Sequence, residues 1–376
     1  FVGFAVYGSW MVVLKNGFRR KKQNVLHFSI VIAMTFFSLF VIIESQSVQG
    51  LFSFAGGLAV ILMILAMRKG MKFLLSAILL LGSGAVIATF GLLGMGPLSN
   101  ALASSTLFSR FDYWRAAISI TLHSPIVGRG LDSYGDYFRE FRDQTAFNRY
   151  GEGLEVDASH NVFLDLFVGG GIPLGIVYIC IQVIPAVMLI KRILVSEKID
   201  FQEVLLLTIW SSFTLQSLIS INQIGVGVWG WVLAGVMFSR SSNVIDKSRI
   251  HLKRHAWKKA LGTLAIVPFV GVIALAPLIV DAHFLSAVKS TDGLKVKEVS
   301  MSWPQDSKRI FNTAVAFSRA GYDQYALEVS EFGVKHNPRS YFLWREVYTN
   351  KKTNADLRRK AAKVLKSLEP RFVETP

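Results

Sequence analysis

Val162-Phe163-Leu164-Asp165-Leu166-Phe167-Val168 opens an apolar run that continues to Ile190, and Ala158-Ser159-His160-Asn161 stands directly before it. A membrane span needs ~20 mainly apolar residues to cross a ~30 Å hydrocarbon core, and this run is long enough. Working outward, similar runs lie at 25–43, 51–67, 73–93, 204–219, 224–238 and 261–280, and residues 1–14 read as the tail of another. With 52% hydrophobic residues and 28 phenylalanines, the composition is that of a membrane protein. The expected fold is all-α: a polytopic transmembrane helix bundle of about eight spans over 1–280, with a small helical extramembrane domain at 281–376. The chain starts with Phe1, and no charged stretch precedes its apolar run, so no signal peptide is read. It is expected to be a piece whose earlier spans precede Phe1. The single cysteine, Cys180, falls within a span, which leaves no disulfide framework or cysteine metal site.

Charge orders the connections. Lys15, Arg19, Arg20, Lys21 and Lys22 follow the first apolar run; Arg68, Lys69 and Lys72, then Lys191, Arg192 and Lys198, mark alternate junctions farther on. Residues 240–259 hold another basic group, whereas the connections at 44–50 and 220–223 carry no Lys or Arg. By the positive-inside rule the basic connections are cytoplasmic. Residues 94–161 and the tail after Asp281 are then expected on the outer, periplasmic or extracellular side of the cell membrane. The net charge of +16 is largely topological, so nucleic acid is not an expected partner.

Residues 94–161 form a polar connection of a length that is usually functional or disordered. It contains six arginines. A helix is expected over 106–122, capped by Ser104 or Ser105, with Phe111, Trp114, Ile118 and Leu122 on one face suited to a lipid interface. His123-Ser124-Pro125-Ile126-Val127-Gly128-Arg129-Gly130 then breaks it. Tyr134, Tyr137, Phe138, Arg139, Phe141, Arg142 and Arg149 follow, aromatic and guanidinium groups of the kind that meet sugar faces and phosphates.

Each candidate also has a purely structural reading. His160 can satisfy a backbone carbonyl, Asn161 can cap the following span, and Arg110 and Arg115 can snorkel at the interface. Asp157 can be a solvated acid. Gly128 and Gly130 can serve only their turn, and Gly169, Gly170 and Gly171 only close helix packing.

In the tail, Pro304, Pro338 and Pro370 recur at 34 and 32 residues, and Ala320-Gly321-Tyr322 sits at an inter-helix turn position. This spacing resembles tetratricopeptide repeats; an unrelated small helical domain is the alternative.

The order of the motifs says more than any one of them. Arg110, Tyr113-Trp114, the 123–130 turn, Ser159-His160-Asn161-Val162-Phe163-Leu164 and the small-residue stretch 169–175 together resemble the O-antigen ligase/polymerase family over roughly 25–239. Ser45-Gln46-Ser47-Val48-Gln49-Gly50 is similar to the family's short outer loop, with Gln49 where many members have arginine. The resemblance implies a glycosyltransferase, a polysaccharide polymerase or ligase. It would move an oligosaccharide from a polyprenyl diphosphate to a glycan or glycolipid hydroxyl, with no metal or other cofactor. It implies His160 as the group that takes or orients the acceptor proton, with Asp157 tuning it or substituting for it. It implies Arg110 and Arg129, and secondarily Arg115, as diphosphate ligands, with His123, Asn161 and Gln49 as further substrate-binding candidates. Membrane lipid is the surrounding partner, and 281–376 is the candidate surface for other polysaccharide-assembly proteins. Two other classes stay open: a transporter or flippase of lipid-linked sugars, and a non-catalytic assembly protein.

Overall fold

The computed structural model describes residues 6–10, 21–45, 48–92, 95–96, 99, 105–241 and 256–373. Most of the proposed 1–14 span, Lys15, Arg19 and Arg20, Ser104, Gln46 and Ser47, and most of the 240–259 basic group lie outside these residues. The described elements are helical throughout. The helices are α1 (Lys21–Glu44), α2 (Val48–Lys69), α3 (Met71–Leu92), α4 (Ser105–His123), α5 (Tyr134–Phe141), α6 (Gln144–Tyr150), α7 (Val162–Val195), α8 (Phe201–Ser217) and α9 (Ile224–Ser241). A second series comprises α10 (Ala256–Lys289), α11 (Gly293–Ser300), α12 (Ser307–Arg319), α13 (Asp323–His336), α14 (Tyr341–Thr349) and α15 (Ala355–Leu368). All seven apolar runs after residue 24 form helices. Among the described residues, five stretches are long and apolar enough to cross a membrane: Gln49–Lys69, Met71–Gly91, Val162–Val195, Ile224–Ser241 and Gly271–Lys289. Phe28–Glu44 and α8 are shorter apolar helices, each of 17 residues. The protein is a multi-pass membrane protein. Phe36, Phe37, Leu79 and Leu80 are all more than half exposed, as lipid-facing side chains are and as a water-soluble surface rarely is.

The chain divides into two compact units, Phe1–Asp246 and Lys247–Pro376, so α10 falls with the second. In the first unit α8 packs along α2, and α9 along α7. Their shared core is Ile64 from α2, Ala186, Leu189 and Ile193 from α7, Leu207 and Phe213 from α8, and Leu233 and Met237 from α9. The basic residues at one end also tie helices together. Arg68 donates to the carbonyls of Leu194 (3.0 Å), Ser196 (2.5 Å) and Glu197 (2.9 Å), satisfying the orphan carbonyls where α7 ends. Arg192 lies 2.9 Å from Glu203 and also donates to the Arg240 carbonyl.

In the second unit, α12 and α13 form one helix pair and α14 and α15 another, with first helices starting at Ser307 and Tyr341, 34 residues apart. Gly321, at φ +81°, makes the turn expected at Ala320-Gly321-Tyr322. The pairs share a core of Ile310, Ala314, Phe317, Leu343, Trp344 and Leu365. Asp281 on α10 accepts from the buried Arg309 guanidinium at 2.9 Å.

Candidate functional site

The connection before α7 is a small helical layer with its own core. Ala116, Ala117 and Ile120 of α4 pack on Tyr134 and Phe138 of α5, on Val156, and on Val168 of α7. The buried side of α4 is therefore its small-residue side, which lets the helix lie close to α7. Of the expected lipid-interface stripe, Phe111, Ile118 and Leu122 are 47%, 49% and 67% exposed, whereas Trp114 is half-buried with its indole nitrogen inside the protein.

Two of the sequence motifs interlock. In an unbroken helix the Ile172 N–H would donate to the Val168 carbonyl, and the Gly169 carbonyl would await the N–H of residue 173. Residue 173 is proline and has no N–H to give. Here α7 is broken at Gly170 and Gly171, the latter at φ +69°. The freed groups turn to the 123–130 segment instead. Arg129 N–H donates to the Val168 carbonyl (2.8 Å), Gly130 N–H to the Gly169 carbonyl (2.9 Å), and Ile172 N–H to the Pro125 carbonyl (2.7 Å). The backbones approach so closely that a Cβ on Gly171 would sit 2.6 Å from the Pro125 and Ile126 oxygens, and one on Gly128 2.5 Å from the Gly169 oxygen. The glycines serve neither the turn alone nor helix packing alone; they permit one backbone-to-backbone joint. That joint fixes Arg129 at its own peptide. Its guanidinium lies over the Tyr137 ring (4.9 Å), and its buried Nε has no hydrogen-bond partner among the described residues.

His160 is held just ahead of α7 at φ +57°, a left-handed conformation that costs a non-glycine residue roughly 1–2 kcal/mol. Its neighbours enforce it. Ser159, fully buried, gives its N–H to the Asp165 carboxylate (2.8 Å) and its hydroxyl to the Asn161 carbonyl (3.0 Å). Asn161 caps α7 through the amides of Phe163 (3.1 Å) and Leu164 (3.2 Å). The imidazole stacks on Tyr113 of α4, ring centroids 5.8 Å apart, and makes no hydrogen bond among the described residues. Burial lowers its pKa below the usual 6.5, and the Arg110 charge lowers it further, while Asp157 pulls the other way. Arg110 is itself half-buried, with one terminal guanidinium nitrogen buried and without a partner among the described residues. One turn along α4, the buried Trp114 indole nitrogen also lacks a partner. Arg110 and Asp157 thus both act on His160 through their charges, and Arg110 makes no ion pair among the described residues.

The other candidates are placed differently. Arg115 meets Asp143 at 2.7 Å and Asp112 at 3.5 Å, and Arg149 meets the same buried Asp112 at 2.6 Å. These pairs join α4 to α6. His123 rests on the Ser119 carbonyl (2.8 Å) and edge-on to Phe141 (4.8 Å). Gln49 lies in the first turn of α2 and makes no hydrogen bond or ion pair with the connection among the described residues. Arg139 and Arg142 are buried, donating to the carbonyls of Glu152 (2.7 Å), Leu154 (2.5 Å) and Gly151 (2.9 Å). Their guanidinium groups hold the 151–154 backbone, a structural part rather than the sugar or phosphate contact expected of them. Tyr113 and Asp165 were missed as supports of His160. A lone carboxylate in the first turn of an apolar helix was the available signal for Asp165.

The sequence model of the O-antigen ligase family matches residues 33–179, which include Arg110, Arg129 and His160. The chain carries an O-antigen ligase domain. No curated protein and no solved structure matches the chain. The match runs from the middle of α1 to the middle of α7 and contains the whole interlocked connection, and it supports an enzymatic, ligase-like role in polysaccharide assembly.

Proposed function

We propose that the protein transfers an oligosaccharide from a polyprenyl diphosphate to a hydroxyl of a glycan or glycolipid, on the outer face of the cell membrane. The observation that carries this reading is His160, its pKa lowered, under the charge of Arg110, which makes no ion pair among the described residues. A departing diphosphate is a polyanion, and arginine offers it a permanent charge and a fork of donors. Among the described residues, Arg110 and Arg129 both keep unpartnered buried nitrogens that suit this role. They speed the reaction to the extent that their contacts strengthen as the glycosidic bond breaks. The arginines supply the charge that a metal would otherwise bring. An unprotonated imidazole takes the acceptor's proton at neutral pH, the condition a general base needs. Asp157 is exposed and acts on His160 through its charge. Arg115, already shared between two carboxylates, is a support of the layer. Residues 281–376, read as two tetratricopeptide-like pairs, are a partner-binding module.

The glycan profile of a strain lacking the gene tests the reaction class. Single repeat units on the acceptor identify a polymerase, and full-length chains stranded on the lipid carrier identify a ligase; an unchanged profile overturns both. The pH profile tests His160 separately. Activity should fall as pH drops through a pKa below 6.5, because protonation removes the base. Asp157→Asn takes away the charge that stabilises the imidazolium, so the acid limb of kcat/KM should move to lower pH with the plateau retained. A limb that stays fixed or moves to higher pH contradicts the coupling.

A further inference from the structure

Ile126 and Val127, in the turn between α4 and α5, are 75% and 78% exposed, and Leu122 and Leu131 on either side are exposed too. Single apolar residues on a surface need no explanation, so exposure alone decides nothing. Depth decides it. With 34 residues, α7 is far longer than a bilayer core requires. Lys191 and Arg192 mark one end of its apolar run. Counted back from them, 172–190 alone rises about 28 Å at 1.5 Å per residue, close to the ~30 Å hydrocarbon thickness. The break at Gly170 and Gly171 therefore falls at the opposite boundary of the hydrocarbon, and Asp165 falls outside it. The turn is fastened at that level. Ile172 N–H donates to the Pro125 carbonyl (2.7 Å), and a Cβ on Gly171 would lie 2.6 Å from the Ile126 carbonyl oxygen. Ile126 and Val127 thus stand where α7 enters the lipid, and the exposed apolar surface continues along α7 through Ile172 and Ile176.

The turn also suits hydrocarbon. Ser124-Pro125-Ile126-Val127-Gly128 carries no charge. Ser124 and Gly128 pair across it twice: Gly128 N–H donates to the Ser124 carbonyl (3.1 Å), and the Ser124 hydroxyl to the Gly128 carbonyl (2.7 Å). Pro125 has no N–H to satisfy. Such pairings matter here because lipid offers no partner to a free backbone group.

We propose that the turn at Ile126 and Val127 is a wedge inserted among the acyl chains of the adjoining leaflet, and that it holds the helical layer carrying Arg110 and His160 against the lipid headgroups. The wedge requires α7 to cross the membrane but does not require the protein to be a transferase, so the two readings fail separately.

The test uses the full chain in phosphatidylcholine nanodiscs, one chain per disc and no polyprenyl lipid added. Cys180, the single cysteine, is first changed to alanine, so that each further variant takes one nitroxide label. Ile126→Cys and Val127→Cys probe the wedge. Ile176→Cys, on the exposed side of α7, is the lipid reference, and Gly153→Cys, exposed with open space around its Cβ, is the water reference. Electron paramagnetic resonance then reads collisions with oxygen, which concentrates in lipid, and with a water-soluble nickel chelate. Labels at 126 and 127 should match the label at 176: high oxygen collision, and nickel collision several-fold below that at 153. Either label suffices if the other variant fails gel filtration, since both side chains are exposed. Nickel collision equal to that at 153 overturns the wedge. Protection that arises only after polyprenyl phosphate is added overturns it in favour of a groove for the isoprenoid chain. Protection that arises only at two chains per disc, with spin–spin broadening, overturns it in favour of a contact between copies.

Discussion

His160→Ala is expected to abolish measurable glycan transfer while the protein stays in the membrane at its normal level. Removing a positioned general base lowers a rate by roughly 10²–10⁴-fold. No fold contact of comparable weight is lost with it: the ring stacks on Tyr113 and makes no hydrogen bond among the described residues. Alanine at φ +57° keeps the backbone strain, whereas His160→Gly relieves it and removes the imidazole too. Both variants should therefore be inactive, and the glycine variant should be at least as stable as wild type. Arg110→Ala belongs to the same experiment. It removes the partly buried charge beside the imidazole, and loss of one such stabilising group lowers kcat by about 10²–10³-fold. Arg110→Lys keeps the charge but not the fork, so its rate should fall between wild type and alanine. The assay is transfer from a lipid-linked donor by purified protein. Wild-type rates in both His160→Ala and Arg110→Ala would show that the site lies elsewhere.

Gly171→Ala should unfold the joint between the 123–130 segment and α7. The methyl group would meet two backbone oxygens at 2.6 Å, and neither peptide can swing away as a flexible side chain could. Overpacking costs about 1–3 kcal/mol, and the left-handed backbone adds about 1–2 kcal/mol for a residue with a Cβ. The expected loss is therefore several kcal/mol, large against the 5–15 kcal/mol typical of a folded domain. Gly153→Ala is the control, because a Cβ there meets nothing within 4 Å and the expected change is within about 0.5 kcal/mol. Thermal unfolding in detergent and protease cleavage within 123–130 would report the difference. Equal stability of the two variants would mean that the backbone joint adds nothing to the fold.

The seven apolar helices after residue 24 were legible because a lipid environment demands long apolar segments, and that demand is written into composition. The 34-residue spacing of the two tail helix pairs was legible for a similar reason, since each pair must repeat its apolar face to share a core. The connection was harder. Its arginines look alike in sequence, yet Arg139 and Arg142 hold carbonyls, Arg115 and Arg149 share Asp112, and Arg110 and Arg129 keep nitrogens unpartnered among the described residues. Which partner each finds depends on groups many residues away.

Residues 158–168 on their own declare a polar segment entering a membrane helix, and the order of motifs around them declares the family. The sequence could not declare that Pro173 leaves a carbonyl for Gly130, or that the Arg110 charge acts on His160 while Asp165 holds Ser159. Hydrophobic patterning is local and survives in one dimension. The fate of a single freed hydrogen-bonding group is a three-dimensional property, and here it is what builds the site.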